Sequence, residues 1–258
     1  MNLHKDADRR CAFFGRGHNF PVEHCTCMMD SQKRTTSILL ALGVTVPILY
    51  FGMQLAAAPF CADYSFMRRD ASTLGSAEST RPWIFNGGSF LLGVILIAAS
   101  AGFLKALVRL GVPRWLAAAT AITIAMGGLG SVNAALFPLP DPRHTGGVLA
   151  LVGSGLLLAP LALTVAVWRL DGLRLLRGYL IANLAVVAAL VPIMGGLIQR
   201  WAMHANVQLP RYQEFLNTSQ GLLQRVAAAA AFLPIGVSAY CLRQQQKRPE
   251  GSPSKDPW

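Results

Sequence analysis

Apolar residues in this chain come in long charge-free runs, not in the alternating or 3.6-residue stripes of a water-soluble domain. Five runs lie between charges, over residues 35–62, 82–104, 115–140, 145–168 and 178–199. A helix of about 20 apolar residues crosses about 30 Å of hydrocarbon, so each run predicts one transmembrane helix. A sixth run, 226–242, has 17 residues and would reach only about 25 Å at about 1.5 Å per residue. Its helix is therefore expected to begin earlier and to draw Arg225 into the membrane edge. The pattern predicts an all-α fold: a polytopic bundle of six transmembrane helices over 35–243, flanked by disordered tails at 1–34 and 244–258.

Composition sharpens this reading. Only 14% of the 258 residues are charged, against about 25% in an ordinary globular domain. The net charge of +11 would suit nucleic acid if the basic residues clustered on a face among stacking aromatics. They sit between apolar runs instead, so no nucleic-acid partner is expected. Sorting them by side gives sixteen on the side of the two ends and the 105–114 and 169–177 loops, and six on the other, with Arg225 set aside. Basic residues hold loops in the cytoplasm, so both termini are expected to be cytoplasmic and the protein to lie in the cell (inner) membrane.

The amino-terminal segment holds Cys11, Cys25, Cys27, His4, His18 and His24. These are acceptable metal-ligand types, but Cys25-x-Cys27 is tighter than zinc spacing and nothing around it patterns as folded, so no metal and no cofactor are expected. Met28 or Met29 would make a natural start, and residues 1–28 are expected to be dispensable. No secretory signal is read in the first apolar run, which is too long for one. Small residues such as Gly127, Ser131 and Ala135, four apart, predict close helix packing. No duplication of the first three spans in the last three points to an inverted-repeat transporter.

Polar residues near lipid mark function, because they are costly there and face a bundle interior or a wet cavity. Here they gather on the outer side: Tyr64 and Asp70 to Gly75 in the first outer loop, Asn86 at the start of the second span, Phe137-Pro138 and His144 around the next outer turn, and Gly221, Gln224 and Arg225 where the last span begins. In these motifs the chain resembles a prokaryotic six-helix membrane family, domain of unknown function 998, over roughly residues 36–243. That family carries an aromatic and a Ser-Asp-Leu-Gly-like stretch in its first loop, an Asn-centred turn, a Phe-Pro pair followed by a histidine, and Gly then Gln-Arg. Asp70 departs from the pattern by an Ala-Ser-Thr insertion after it. A more distant similarity is to the DRAM-like eukaryotic membrane proteins. The resemblance implies the six-helix fold and supplies no activity.

The residues taken as pocket candidates are Tyr64, Asp70, Asn86, His144, Gln224 and Arg225, with bland alternatives for several: Asp70 a turn residue, Asn86 a helix cap, Arg225 a snorkelling cation. Arg225 is expected to face the bundle and share its site with Asp70. Three functions fit: an outward pocket binding or moving a lipid headgroup or small polar ligand, without catalysis; an intramembrane lipid hydrolase or transferase using Asp70 and His144 with Ser72 or Arg225; or a regulatory subunit packed on another membrane protein or on its own copies. The lipid bilayer is the one partner common to all three. The topology has a direct test. In a cysteine-free background, a cysteine at Ser76 should react with an impermeant thiol reagent on intact cells, and one at Ser252 should not. Labelling at both, or at Ser252 alone, would overturn it.

Overall fold

The computed structural model of the chain describes residues 22–146, 154–168, 170, 172–194, 198, 204–205 and 207–247. Over these residues the chain is all-α, with a single isolated bridge between Cys61 and Ser79. Helix α1 runs Val22–Ala57 and α2 Pro82–Arg109, α3 Arg114–Leu136, the short α4 Arg143–Gly146, α5 Ala159–Trp168, α6 Arg174–Met194 and α7 Pro210–Lys247. Four segments are long and apolar enough to cross a membrane: Ser31–Phe60, Pro82–Arg109, Arg114–Leu136 and Pro210–Lys247, with Gly155–Trp168 a shorter apolar helix.

The expected spans 145–168 and 178–199 fall partly on residues outside those described, 147–153 and 195–197 among them. Gly153, Gly195 and Gly196 lie there too, as do His4, Cys11 and His18. The boundary expected between residues 34 and 35 falls inside α1, and the one at 244 falls inside α7. As its short apolar run required, the last helix does begin earlier, at Pro210, and carries Arg225 within it.

Helix α2 packs along both α1 and α3, α1 packs on α7, and α5 and α6 close the bundle against α3 and α7. The α2–α3 hairpin is set by a local signal. Gly111 adopts φ 89, which few side chains tolerate. The N–H of Gly111 then donates to the Val108 carbonyl (3.1 Å) and that of Val112 to Leu107 (3.0 Å). This Schellman arrangement satisfies the orphan carbonyls at the end of α2, and Pro113 caps α3 at once. The core is a continuous apolar cluster that includes Leu40, Leu96, Phe103, Ile124, Ile235 and Leu242, all fully buried. Outward-facing Ile48, Leu55, Phe90, Leu91 and Ile122 are exposed, the reverse of a protein meant for water. Trp83, Trp115 and Trp168, at or near helix ends, are 67%, 69% and 58% exposed. That is where an interfacial aromatic belt sits.

Helices α2 and α3 touch backbone to backbone at Gly93 and Gly128. A Cβ on Gly93 would stand 2.6 Å from the Gly128 carbonyl oxygen, and one on Gly128 2.7 Å from that of Gly93. Lipid gives no hydrophobic drive for helices to associate, so such close van der Waals packing carries much of the contact. A leucine at Gly93 must push the helices apart. We expect Gly93→Leu to lose about 3 kcal/mol or more, read as a fall in detergent unfolding temperature. Gly87, with nothing within 4 Å of a Cβ, should accept alanine without loss.

Candidate functional site

The 24-residue link between α1 and α2 is folded down onto α7. Its ends are stitched together where the Thr80 N–H donates to the Phe60 carbonyl at 2.8 Å, and the Arg81 guanidinium lies 4.8 Å from the Phe60 ring centroid. Its middle is held by one stretch of α7. Leu222 N–H donates to the Met67 carbonyl at 3.0 Å. Gln220 Nε2 donates to Asp70 Oδ2 at 2.8 Å, and Ala71 N–H donates to Gln224 Oε1 at 2.7 Å. Arg225 Nη1 donates to the carbonyls of Phe66 (2.9 Å), Arg69 (3.1 Å) and its own Gly221 (2.7 Å). Its Nη2 donates to the Tyr64 hydroxyl, which itself donates to the Asp70 carbonyl at 3.1 Å.

Sequence explains why this docking happens at Gly221. A Cβ there would meet the Arg69 carbonyl oxygen at 2.4 Å and that of Phe66 at 2.7 Å. With hydrogen in its place, the loop backbone reaches the helix, and the Gln and Arg that follow one turn later fall beside it. Charge-assisted bonds of the Arg225 kind contribute about 1.5–3 kcal/mol each.

The expected ion pair between Asp70 and Arg225 is not what forms. Arg225 does face the protein, as expected, but its acceptors are backbone carbonyls and a phenol, and Asp70 takes its hydrogen bond from Gln220. Two other acids near this end pair elsewhere: Glu78 with Arg69, Asp141 with Arg143 at 2.7 Å. The physical reason is that a turn exposes carbonyls with no helical partner, and a guanidinium satisfies several at once. Asn86 is not a cap, since α2 begins at Pro82 with Arg81 before it. Its Nδ2 donates to the Gly75 carbonyl at 2.9 Å, fastening the far side of the same loop.

Beneath the loop lies a cavity of about 370 Å³ between α1, α2, α3 and α7. Its walls are largely apolar, with Met53, Phe85, Leu92 and Leu156, and its polar groups are Tyr50, Ser72, Ser89, Ser131, His144 and Gln224. Of the six sequence candidates, His144 and Gln224 line it; Tyr64, Asp70, Asn86 and Arg225 hold the loop that roofs it. Ser131 and Gly127, read from sequence as packing residues, also face it. Their only sequence signal was a hydroxyl within a small-residue stripe.

At the roof, His144 Nδ1 lies 2.8 Å from the Phe137 carbonyl oxygen and Nε2 3.0 Å from Ser72 Oγ. A carbonyl can only accept, so Nδ1 carries the hydrogen and Nε2 offers its lone pair to the Ser72 hydroxyl. The histidine backbone is held as well: its N–H donates to the Asp141 carbonyl at 2.9 Å, and buried Asn133 Nδ2 donates to the neighbouring Arg143 carbonyl at 3.0 Å. Bonds to Arg143 lower the Asp141 carboxyl to about 2, keeping a fixed anion near the histidine. Burial pushes Asp70 above the ordinary carboxylate range, with the Gln220 bond and then Arg225 offsetting it in part. Burial likewise raises Tyr64. Among the described residues no group of three His, Cys, Asp or Glu side chains is arranged to hold a metal.

The family model described as a protein of unknown function, DUF998, matches residues 44–241. No curated protein matches the chain. No solved structure matches it either.

Arg225 and Asp70 should respond differently to substitution. Arg225→Gln leaves the Phe66 and Arg69 carbonyls without their donor and should cost about 3 kcal/mol. Asp70→Asn keeps an acceptor for Gln220 and removes a charge that burial disfavours, so stability at neutral pH should hold or rise. A carboxyl with a raised folded pKa is penalised above its unfolded value, and the penalty fades as pH falls through the folded one. The advantage of Asp70→Asn should therefore shrink on acidification, as measured by unfolding temperature from pH 8 to pH 4.

Proposed function

The chain belongs to the DUF998 family, and from that premise together with the cavity beneath the loop we propose that this multi-pass membrane protein binds a neutral amphiphile in an outward-facing pocket. Six spans with both termini cytoplasmic and residence in the cell (inner) membrane are part of the proposal. They are supported by the four long apolar helices, the apolar segments at α5 and α6, and the basic residues gathered around 105–114 and 169–177.

The observation that carries the reading is the chemistry of the cavity lining. Among the described residues it contains no Lys, Arg, Asp or Glu. A phosphate or ammonium group placed there would be desolvated without a counter-charge, at a cost of several kcal/mol. A hydroxyl or ester loses little, because Ser72, His144, Gln224 and Ser131 supply neutral donors and acceptors, and an acyl chain can lie against Met53, Phe85, Leu92 and Leu156. Arg225, the basic residue of α7 one position from the lining residue Gln224, has its Nη atoms committed to the loop and is absent from the lining. This narrows the expected ligand from lipid headgroups in general to uncharged ones.

Photocrosslinking tests the reading. Purified protein in nanodiscs should capture a photoreactive monoacylglycerol at residues around Ser72 and Ser131. A charged lysophosphatidate of equal chain length should compete at least about tenfold less well, a difference of about 1.4 kcal/mol. Ser131→Trp, which fills the cavity, should abolish capture while the unfolding temperature stays within a few degrees. Capture that survives Ser131→Trp, or that prefers the phosphate, would overturn the proposal.

A further inference from the structure

We propose that Ser72 is a nucleophile and that the pocket cleaves the ester of the amphiphile it binds, an inference that rests on the pocket reading above. The geometry points to it through three features that a binding pocket does not need together. First, the Ser72 hydroxyl donates to His144 Nε2 at 3.0 Å, the reach at which a base takes the proton of an attacking hydroxyl. Second, the base is oriented in turn. The Phe137 carbonyl, 2.8 Å from Nδ1, fixes the tautomer that leaves Nε2 free, the part a third group plays in a nucleophile–base constellation. Third, both side chains line the cavity and so face whatever occupies it.

Gln224 completes the arrangement. Its Oε1 is occupied by the Ala71 N–H at 2.7 Å, one residue before Ser72, and the residue lines the same cavity, which leaves its amide N–H groups as the donors it can offer there. An amide donor held beside a nucleophile can stabilise the oxyanion that forms on a substrate carbonyl. The bond that docks Ala71 also holds the Gln224 amide close to Ser72.

The reaction is hydrolysis and balances with water alone. Ser72 Oγ bonds to the acyl carbon of the ester while its proton passes to Nε2. The bond from that carbon to the alcohol oxygen breaks, and the alcohol leaves with the proton from Nε2. Water then adds to the acyl carbon and gives a proton to Nε2. The bond to Oγ breaks, Oγ recovers that proton, and the acid is released, with nothing oxidised or reduced. In each half the imidazolium keeps its Nδ1 proton on the Phe137 carbonyl.

The experiment uses the full chain in nanodiscs with a fluorophosphonate, which esterifies activated serines, alongside capture of the photoreactive monoacylglycerol. Phosphonylation should be found at Ser72 by peptide mass spectrometry, vanish in Ser72→Ala and slow about 100-fold in His144→Ala. Ser72→Ala should unfold within a few degrees of the wild type, which shows that it is folded. p-Nitrophenyl butyrate should be hydrolysed by the wild type and not by Ser72→Ala. Capture without phosphonylation of Ser72 overturns the nucleophile and leaves the pocket standing, as does phosphonylation at another serine. An unchanged rate in His144→Ala overturns the base. Loss of both capture and phosphonylation in the wild type overturns the pocket reading and this one with it.

Discussion

One cation holds the loop end of this molecule together. Arg225 stands just over one turn after Gly221, where the loop between α1 and α2 comes closest, and its guanidinium gathers the carbonyls of Phe66 and Arg69 and the hydroxyl of Tyr64. A cation near lipid is tolerable when it faces protein. Here its hydrogen bonds go to groups that the turn itself leaves unpaired, so two costs cancel: the loop's open carbonyls and the helix's lone charge. Ala71 follows directly, and Ser72 after it. The position of the hydroxyl over the cavity therefore derives from a contact several residues away.

The opposite wall of the site is fixed independently. His144 sits on a one-turn helix after α3, with its ring tied to Phe137, its backbone to Asp141 and the neighbouring Arg143 carbonyl to Asn133. Serine and histidine thus arrive from separate elements, each locked before they meet. Such preorganisation by neighbouring hydrogen bonds is what keeps a constellation within the narrow tolerance that chemistry requires. The charge-free lining beneath them narrows what can share the space.

The four long apolar helices were legible because hydrocarbon imposes one length on every crossing, and the early start of α7 followed from a run too short to cross. Gly221, Gln224 and Arg225 were legible as a motif for a similar reason: a charge at that depth demands an explanation. Their partners were not. Sequence shows that a guanidinium needs acceptors but cannot show whether these are a carboxylate or carbonyls, and pairing it with Asp70 assumed that charge seeks charge. Tyr64, Asp70 and Asn86 each fasten the loop, and they roof the cavity instead of lining it. Gly127 and Ser131 were indistinguishable from packing residues, since a cavity wall and a helix contact both favour small side chains.

Helix α7 has 38 residues, about 57 Å at the usual rise, nearly twice the thickness of hydrocarbon. Its first eleven residues carry Arg211, Gln213, Glu214, Asn217 and Gln220 and suit water and headgroups better than acyl chains. The helix is then a pillar that stands through the membrane surface, and the loop is moored to the pillar and not to lipid. When bilayer thickness changes, the hydrocarbon boundary slides along α7, but Ser72 does not shift relative to Gln224. On the reading proposed above, the arrangement of Ser72 and Gln224 would then be set by the helix and not by the thickness of the membrane around it.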